Sequence, residues 1–374
     1  MAGTRGSGIS PVQQQYLDVL RSALWGGRLN SLPEDIPGVL EIANRQKTRP
    51  MVLDALQKAG YEDSESLTLI YRNTSTHVTL NRNISRLVAL MHEAGIDPVL
   101  LKGQGVALNY PEPMLRECGD IDLYVGQERY GKACDLLKSL AAESEIANGA
   151  EMEKHYHICI NGVHIELHRF CDTIENKREN RILQSIADKG LTKDLVPVRI
   201  NDVPVNTPSD NFNTFFLFFH AWRHFLLEGV GLRQICDWTL FLHSRAGKLD
   251  NAFLAEALKN LNLDIPWQIF AVISVKYLGL PQDEMPLYRP GFENKAAGYI
   301  SLILKDGNFG HASAVHAKRP SGYLPGKWFT VKQILRRPLA LYRLFPEIRP
   351  QIVTYASGEI KAGLRRTNKE LIHQ

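Results

Sequence analysis

Two hydrophobic periods divide the chain. From about residue 12 to residue 90, apolar residues recur at helical spacing, over 12–24, 38–47 and a long amphipathic run at 64–94. The pattern then tightens to period two. Asp97-Pro-Val-Leu-Leu101 reads as a strand, 103–109 as a short helix, and Tyr110-Pro-Glu-Pro113 as a loop. Asp120-Ile-Asp-Leu-Tyr-Val125 reads as a second strand, followed by a helix near 128–142. A hairpin is predicted at Lys154-His-Tyr-His-Ile-Cys-Ile160, Asn161-Gly162, Val163-His-Ile-Glu-Leu-His168, because a type I′ turn needs positive φ at both central residues. A second hairpin is predicted over 198–205, turning at Asn201-Asp202. From residue 209 helical spacing returns, with a very apolar run at 212–227 and a further helix at 231–246. The run Phe215-Phe-Leu-Phe-Phe219 is apolar all round and predicts core. This order predicts an α+β fold: a small mixed β-sheet flanked by N-terminal helices and a C-terminal helical domain. The expected divisions are 1–90, 91–206 and 207–374.

The alternation assigns faces. Asp120, Asp122 and Tyr124 share one side of their strand, while Ile121, Leu123 and Val125 take the other. In the first hairpin a two-residue loop pairs Ile160 with Val163. His157 then falls opposite Glu166, Cys159 opposite His164, and His155 opposite His168, all on one face. The other face is wholly apolar.

Two carboxylates on one side of a rigid strand suit a hard cation such as Mg²⁺. The turn Lys102-Gly-Gln-Gly105 lies upstream, and its backbone N–H groups can meet phosphates. Together they suggest phosphoryl or nucleotidyl transfer. If the hairpin lies beside the Asp120 strand, Glu166 becomes a third acid. Such a trio can hold two divalent ions, and Glu166 can accept a hydroxyl proton. The plainer alternative has the two aspartates capping a turn and Glu166 paired with a histidine. A rival chemistry uses His155, His157 and His168 with Glu166 to hold zinc or iron; otherwise these histidines flank the site and contact phosphate or acceptor.

Bulk properties narrow the class. The chain has 374 residues, 44% hydrophobic and 22% charged, as expected of a globular protein with more than one core. No apolar run of membrane-spanning length and no secretory leader pattern is found, and a cytoplasmic location is expected. The five cysteines are scattered, without metal-ribbon spacing. The net charge of +4 is concentrated in the tail: from Lys318 onward twelve Lys or Arg face only Glu347, Glu359 and Glu370. An anionic partner, nucleic acid or a membrane face, is one reading of that tail; a solvated basic helix is the other.

The runs LKGQGVALNYPEPMLRECGDIDLYV, KHYHICINGVHIELHRF, HAWRHF and GVGLRQICDW resemble the uncharacterised bacterial nucleotidyltransferase family, within the polymerase-beta-like nucleotidyltransferase superfamily. The resemblance covers about 67–242. It implies a small mixed sheet with a Gly turn at Gly103, an Asp-x-Asp at Asp120 and Asp122, and a later acid at Glu166. It also implies Mg²⁺ or Mn²⁺, of which the three acids suit two ions, and a nucleoside triphosphate. The turn departs from the usual Gly-Gly or Gly-Ser, having Gln104 between Gly103 and Gly105, and the third acid is Glu where Asp is commoner.

Around this centre, Lys102 and Arg116 are candidate phosphate contacts, or else a strand-end lysine and a solvated loop arginine. Arg233 and Asp237 are spaced for a helix salt bridge; the resemblance places them facing the cleft, with Arg233 a candidate nucleotide contact and Asp237 a candidate acceptor contact. His220 and His224 share a helix face, for packing or acceptor contact. The expected activity is transfer of a nucleoside monophosphate from an NTP to an acceptor hydroxyl on a small molecule, sugar, protein or RNA. One alternative is a nucleotide- and metal-binding module without turnover, against which the mutual repulsion of three acids without a cation counts. The other is an RNA-directed enzyme docking its acceptor on Lys332, Arg336, Arg337, Arg343, Arg365 and Arg366.

Overall fold

The computed structural model describes residues 8–308 and 336–355. Helices α1 (Pro11–Leu24), α2 (Ile36–Arg45) and α3 (Arg49–Lys58) precede the long α4 (Ser64–Glu93). Strand β1 (Val99–Leu100), the single turn α5 (Gln104–Ala107), β2 (Asp120–Tyr124), α6 (Gly126–Ser139) and α7 (Glu143–Ala147) follow. Next come β3 (Ala150–Glu151), β4 (His155–Ile160), β5 (Val163–His168), α8 (Lys177–Thr192), β6 (Val196–Ile200) and β7 (Val203–Thr207). The remaining labelled helices are α9 (Asp210–Leu227), α10 (Leu232–Ser244), α11 (Asn251–Asn260), α12 (Asp264–Val272) and α13 (Glu293–Asp306). The fold is α+β, with one mixed sheet of order β3-β4-β5-β2-β1-β7-β6.

The first hairpin has the register its turn dictates. Asn161 and Gly162 adopt φ of 51° and 78°. His155 pairs with His168, His157 with Glu166, and Cys159 with His164. The second turn, Asn201-Asp202, is likewise left-handed, at φ 46° and 63°. Strand β5 runs parallel to β2, with Asp122 opposite Glu166 and Asp120 opposite His164. β1 is shorter than the pattern predicts, although the Leu101 N–H still reaches the Asp122 carbonyl at 3.1 Å. Pro98, with no N–H to give, precedes it.

Ile121, Leu123, Tyr156, Ile158, Ile165 and Leu167 form the apolar face of the sheet, packed with α4 and α6. A second core joins α1–α3 to α8–α13. In it α9 buries most of its surface, and Phe212, Phe215, Phe218, Trp222 and Phe225 are at most 1% exposed. Two bonds tie the ends of this core: Trp25 Nε1 donates to the Leu278 carbonyl at 2.7 Å, and Gln46 Nε2 to that of Ile303 at 2.8 Å.

Helix α8 escapes the sequence pattern because it buries so little, only Leu183, Ala187, Gly190 and Leu191. It is anchored instead by Asn176, whose side chain caps the Arg178 and Glu179 amides, and by close approach to α9. A Cβ added at Gly190 would lie 2.1 Å from the Phe212 Cβ. Gly190→Ala is expected to cost about 1–3 kcal/mol through overpacking. Equilibrium denaturation checks this, and an unchanged midpoint would refute it.

No helix among the described residues is long and apolar enough to cross a membrane. Of the tail cations proposed as docking contacts, Lys332, Arg365 and Arg366 lie outside the described residues. Arg336 and Arg343 are exposed on a helix over 336–344. Arg337 is committed to the fold, donating to the Phe225 carbonyl at 2.7 Å and to Asp306 Oδ2 at 2.6 Å.

Candidate active site

A cavity of about 530 Å³ opens between the polar face of the sheet and helices α9 and α10. Its sheet wall carries Lys102, Gly103, Asp120, Asp122, His155 and Glu166. Its helical wall carries His220, Arg223, His224, Glu228, Arg233 and Asp237. The alternation of β2 and the pairing of β5 beside it put all three expected acids on this wall.

The acids differ in environment. Asp122 is 2% exposed, and its Oδ1 lies 3.1 Å from Lys102 Nζ and 3.0 Å from His168 Nε2. Burial acts to raise its carboxyl, but Lys102 and His168 outweigh this and hold it far below the usual range. Asp120 is half-buried, and the neighbouring Asp122 charge, with burial, pushes its carboxyl up. Burial also acts against the Glu166 carboxylate, yet the His168 hydrogen bond and Lys102 keep its pKa low.

His168 is buried beneath the acids. Its Nδ1 faces the Phe170 carbonyl at 3.3 Å, and its Nε2 faces Asp122 and also Glu166 Oε2, the latter at 3.3 Å. Acceptors face both nitrogens, and the two carboxylates overcome the effect of burial and raise its pKa. Lys102 is likewise raised, as Asp122, Asp120 and Glu166 outweigh its burial. The acid cluster thus contains its own counterions. His155 behaves oppositely: burial brings it down to about 4, so its ring is neutral at pH 7. Burial, reinforced by Lys102, also lowers His220 well below the ordinary histidine range.

The glycine turn is built as only glycine allows, with Gly103 at φ 59° and ψ −119°. Its neighbours fit the phosphate expectation less well. The Gly105 N–H donates to the Lys102 carbonyl at 3.3 Å, and a Cβ there would sit 3.0 Å from Thr207 Cγ2. Gly105 is therefore a close-packing position. The Gln104 side chain turns inward, 3.3 Å from both His77 Nδ1 and Cys118 Sγ. Gly103 lines the cavity.

Arg116, Asp237, Arg233 and His224 line the cavity but are engaged by other protein groups. Arg116 is 3% exposed and grips Asp237 with two bonds, Nε to Oδ1 at 2.7 Å and Nη2 to Oδ2 at 2.8 Å. Tyr110 donates to the same Oδ1 at 2.6 Å. Neither a solvated loop arginine nor an Arg233–Asp237 helix bridge is what the structure contains, because a planar guanidinium matches a buried carboxylate better than an i, i+4 pair does. Arg233 remains on the cavity wall, donating to the Glu117 carbonyl at 2.9 Å. His157 lies outside the cavity lining, its Nε2 3.2 Å from His164 Nδ1, so it leaves the predicted His155–His157–His168 set. His224 meets His220 edge to face at 4.5 Å and Glu228 Oε2 at 3.2 Å.

Sequence reasoning missed a further charge network in the same cavity. Buried Asp172 pairs with Arg223, and Lys154 Nζ stands 3.8 Å from it. Its burial is outweighed by these two cations, leaving its pKa at about 2. In the sequence Arg223 stands out only as the fourth residue of the His220–His224 span, and Lys154 only as the first residue of the hairpin run.

No curated protein matches the chain. Among solved structures, an antigenic nucleotidyltransferase-like protein from Paracoccidioides brasiliensis is similar, with 15% identity and a TM-score of 0.32, over 53% of this chain and 92% of that one. The model of the uncharacterised nucleotidyltransferases matches residues 33–279, and on that match the chain belongs to this family.

Proposed function

We propose that the protein transfers a nucleoside monophosphate from an NTP to an acceptor hydroxyl, releasing pyrophosphate, as a member of the polymerase-beta-like superfamily. One observation carries this reading: Asp120, Asp122 and Glu166, in register on adjacent strands, line a cavity whose far wall carries Arg223 and Arg233. Carboxylate oxygens on two rigid strands are a hard donor set that fits Mg²⁺ or Mn²⁺, and these three side chains would hold two such ions. When bound, the ions would polarise the α-phosphoryl group and acidify the attacking hydroxyl.

The chain's own groups do the rest. Glu166, ionised at neutral pH, receives the acceptor proton as the acceptor oxygen bonds to the α-phosphorus. The bond from that phosphorus to the β-phosphate bridging oxygen breaks, and pyrophosphate leaves with the electron pair. Lys102, Lys154, Arg223 and Arg233 set a positive field for the triphosphate. His220, neutral, can orient an acceptor without adding charge.

A second reading, a nucleotide-binding module without turnover, gains from Lys102 and His168. Repulsion among the acids is relieved internally, so their clustering does not by itself demand a metal. Thermal shift and calorimetry with each of the four NTPs, with and without Mg²⁺ or Mn²⁺, test the first reading. The expected result is metal-dependent stabilisation by an NTP, about 2.7 kcal/mol at a hundredfold excess over Kd, together with label transfer from that NTP. Stabilisation without transfer to any acceptor would support the module. No stabilisation by any NTP would sink both.

A further inference from the structure

We propose that His155, Glu166 and His168 form a mixed nitrogen–oxygen site for a first-row transition-metal dication of the Zn²⁺ or Mn²⁺ kind, in preference to Mg²⁺. The proposal deepens the nucleotidyl-transfer reading, on which it rests for the role of Glu166. It assigns one cation position two imidazoles that an all-carboxylate centre would not have.

The donor atoms are already gathered. One ligand atom from each of the three residues lies within 4.8 Å of the others. His168 Nε2 is 3.3 Å from Glu166 Oε2, and His155 Nε2 is 3.8 Å from Glu166 Oε1. Ligand bonds of about 2.0–2.2 Å place neighbouring donors roughly 3.0–3.6 Å apart around one ion. The spacing found is close to that of a coordination shell.

His155 supplies the second, independent observation. It is only 5% exposed, and its side chain makes no hydrogen bond. Nδ1 is buried without a partner, and Nε2 stops 3.8 Å from Glu166, beyond hydrogen-bond reach. Nε2, unlike Nδ1, is not sealed from the cavity, and no protein group among the described residues lies within hydrogen-bond reach of it. A dication between Nε2 and Glu166 Oε1 bridges that gap and gives this nitrogen a partner.

His168 is oriented as metal-ligating histidines are, and a dication at Nε2 takes the place of the proton that nitrogen shares with Asp122 and Glu166. Its Nδ1 faces the Phe170 carbonyl at 3.3 Å, which aims Nε2 at the acids. His155 and Glu166 line the cavity, so an ion has a path in. Nitrogen donors favour later first-row ions over Mg²⁺, which prefers oxygen and retains its waters.

The test uses the full chain, stripped of metal by a chelator and titrated with Co²⁺ as a spectroscopic probe. The expected result is one equivalent bound, with visible d–d bands, displaced by stoichiometric Zn²⁺ but not by about a hundredfold excess of Mg²⁺. His155→Gln should weaken Co²⁺ binding at least about tenfold, while His157→Gln, outside the cavity lining, should leave it. Pulsed EPR of the Mn²⁺-loaded wild type needs no variant: ¹⁴N couplings from directly bound imidazole are expected. Absent ¹⁴N couplings, displacement by Mg²⁺, or wild-type Co²⁺ affinity in folded His155→Gln would each overturn the proposal. Nitrogen-ligated Mn²⁺ in a protein that binds no Mg²⁺–NTP would instead refute nucleotidyl transfer and leave this site standing. Mg²⁺–NTP binding without nitrogen ligation would do the reverse.

Discussion

Asp120→Asn is expected to lower nucleotidyl transfer by at least about 10³-fold, the scale on which one preorganised electrostatic group is felt, while leaving the melting temperature unchanged or higher. The two halves of this result have one cause. The Asp122 charge and burial push the Asp120 carboxyl up, so its ionised form is disfavoured in the folded chain. A group with a raised folded pKa binds its proton more tightly folded than unfolded. Stability is therefore fully present below the unfolded pKa and falls as pH rises through the folded one. Asparagine removes that penalty at neutral pH along with a cation ligand. Asp122→Ala is a poorer probe, because it strands Lys102 and His168. Breaking a buried pair in this way costs about 3–5 kcal/mol, so lost activity would be confounded with lost fold. Paired activity and melting measurements on Asp120→Asn decide the matter. Full transfer in the variant would end the catalytic assignment of Asp120, and a large drop in melting temperature would end the electrostatic account.

Arg116→Ala is expected to destabilise the chain by about 3–5 kcal/mol, the largest effect on stability foreseen here. The guanidinium makes both bonds to Asp237 inside the protein, and Tyr110 adds a third to the same carboxylate. Removing the arginine leaves a buried carboxylate bonded to a phenol, with only the more distant Arg233 charge to offset its burial. Burial alone would then push Asp237 up, whereas Arg116 now holds it below its ordinary value. Asp237→Ala should be comparably damaging, since it leaves the arginine buried. The double replacement Arg116→Met/Asp237→Leu should recover much of the loss, because neither charge then remains unpaired. Urea denaturation of the three variants measures this. If Arg116→Ala kept the wild-type midpoint, the pair would be a surface-like contact of little weight.

The sequence made the chemistry-bearing strands legible because local rules govern them. The Asn161-Gly162 turn admits one register, and that register alone puts Glu166 opposite His157. Alternation then separates the acids from Ile121 and Leu123. What local rules do not reach is which side chains meet across the cavity. Arg116 and Asp237 are 121 residues apart, and nothing near either marks the other. Arg116 therefore reads as a phosphate contact or a solvated loop cation, whereas its guanidinium is bonded to Asp237 inside the protein. The same limit hid Asp172, which takes its charge partners Lys154 and Arg223 from a loop and from α9. Gln104 shows a different limit: backbone pattern marks the turn but says nothing of its side chain pointing inward at His77.

The bond from Trp25 to Leu278 spans 253 residues, and that from Gln46 to Ile303 spans 257. On a ribosome the first three helices therefore emerge with their apolar sides unmatched. At about 5–20 residues per second, their partners follow roughly 10–50 s later. The sheet and α4 can assemble in that interval from contacts closer in sequence, whereas the first helices must wait. Nascent chains stalled before α9 should then bind holdase chaperones through the α1–α3 segment, and release them once α9 to α13 have been made.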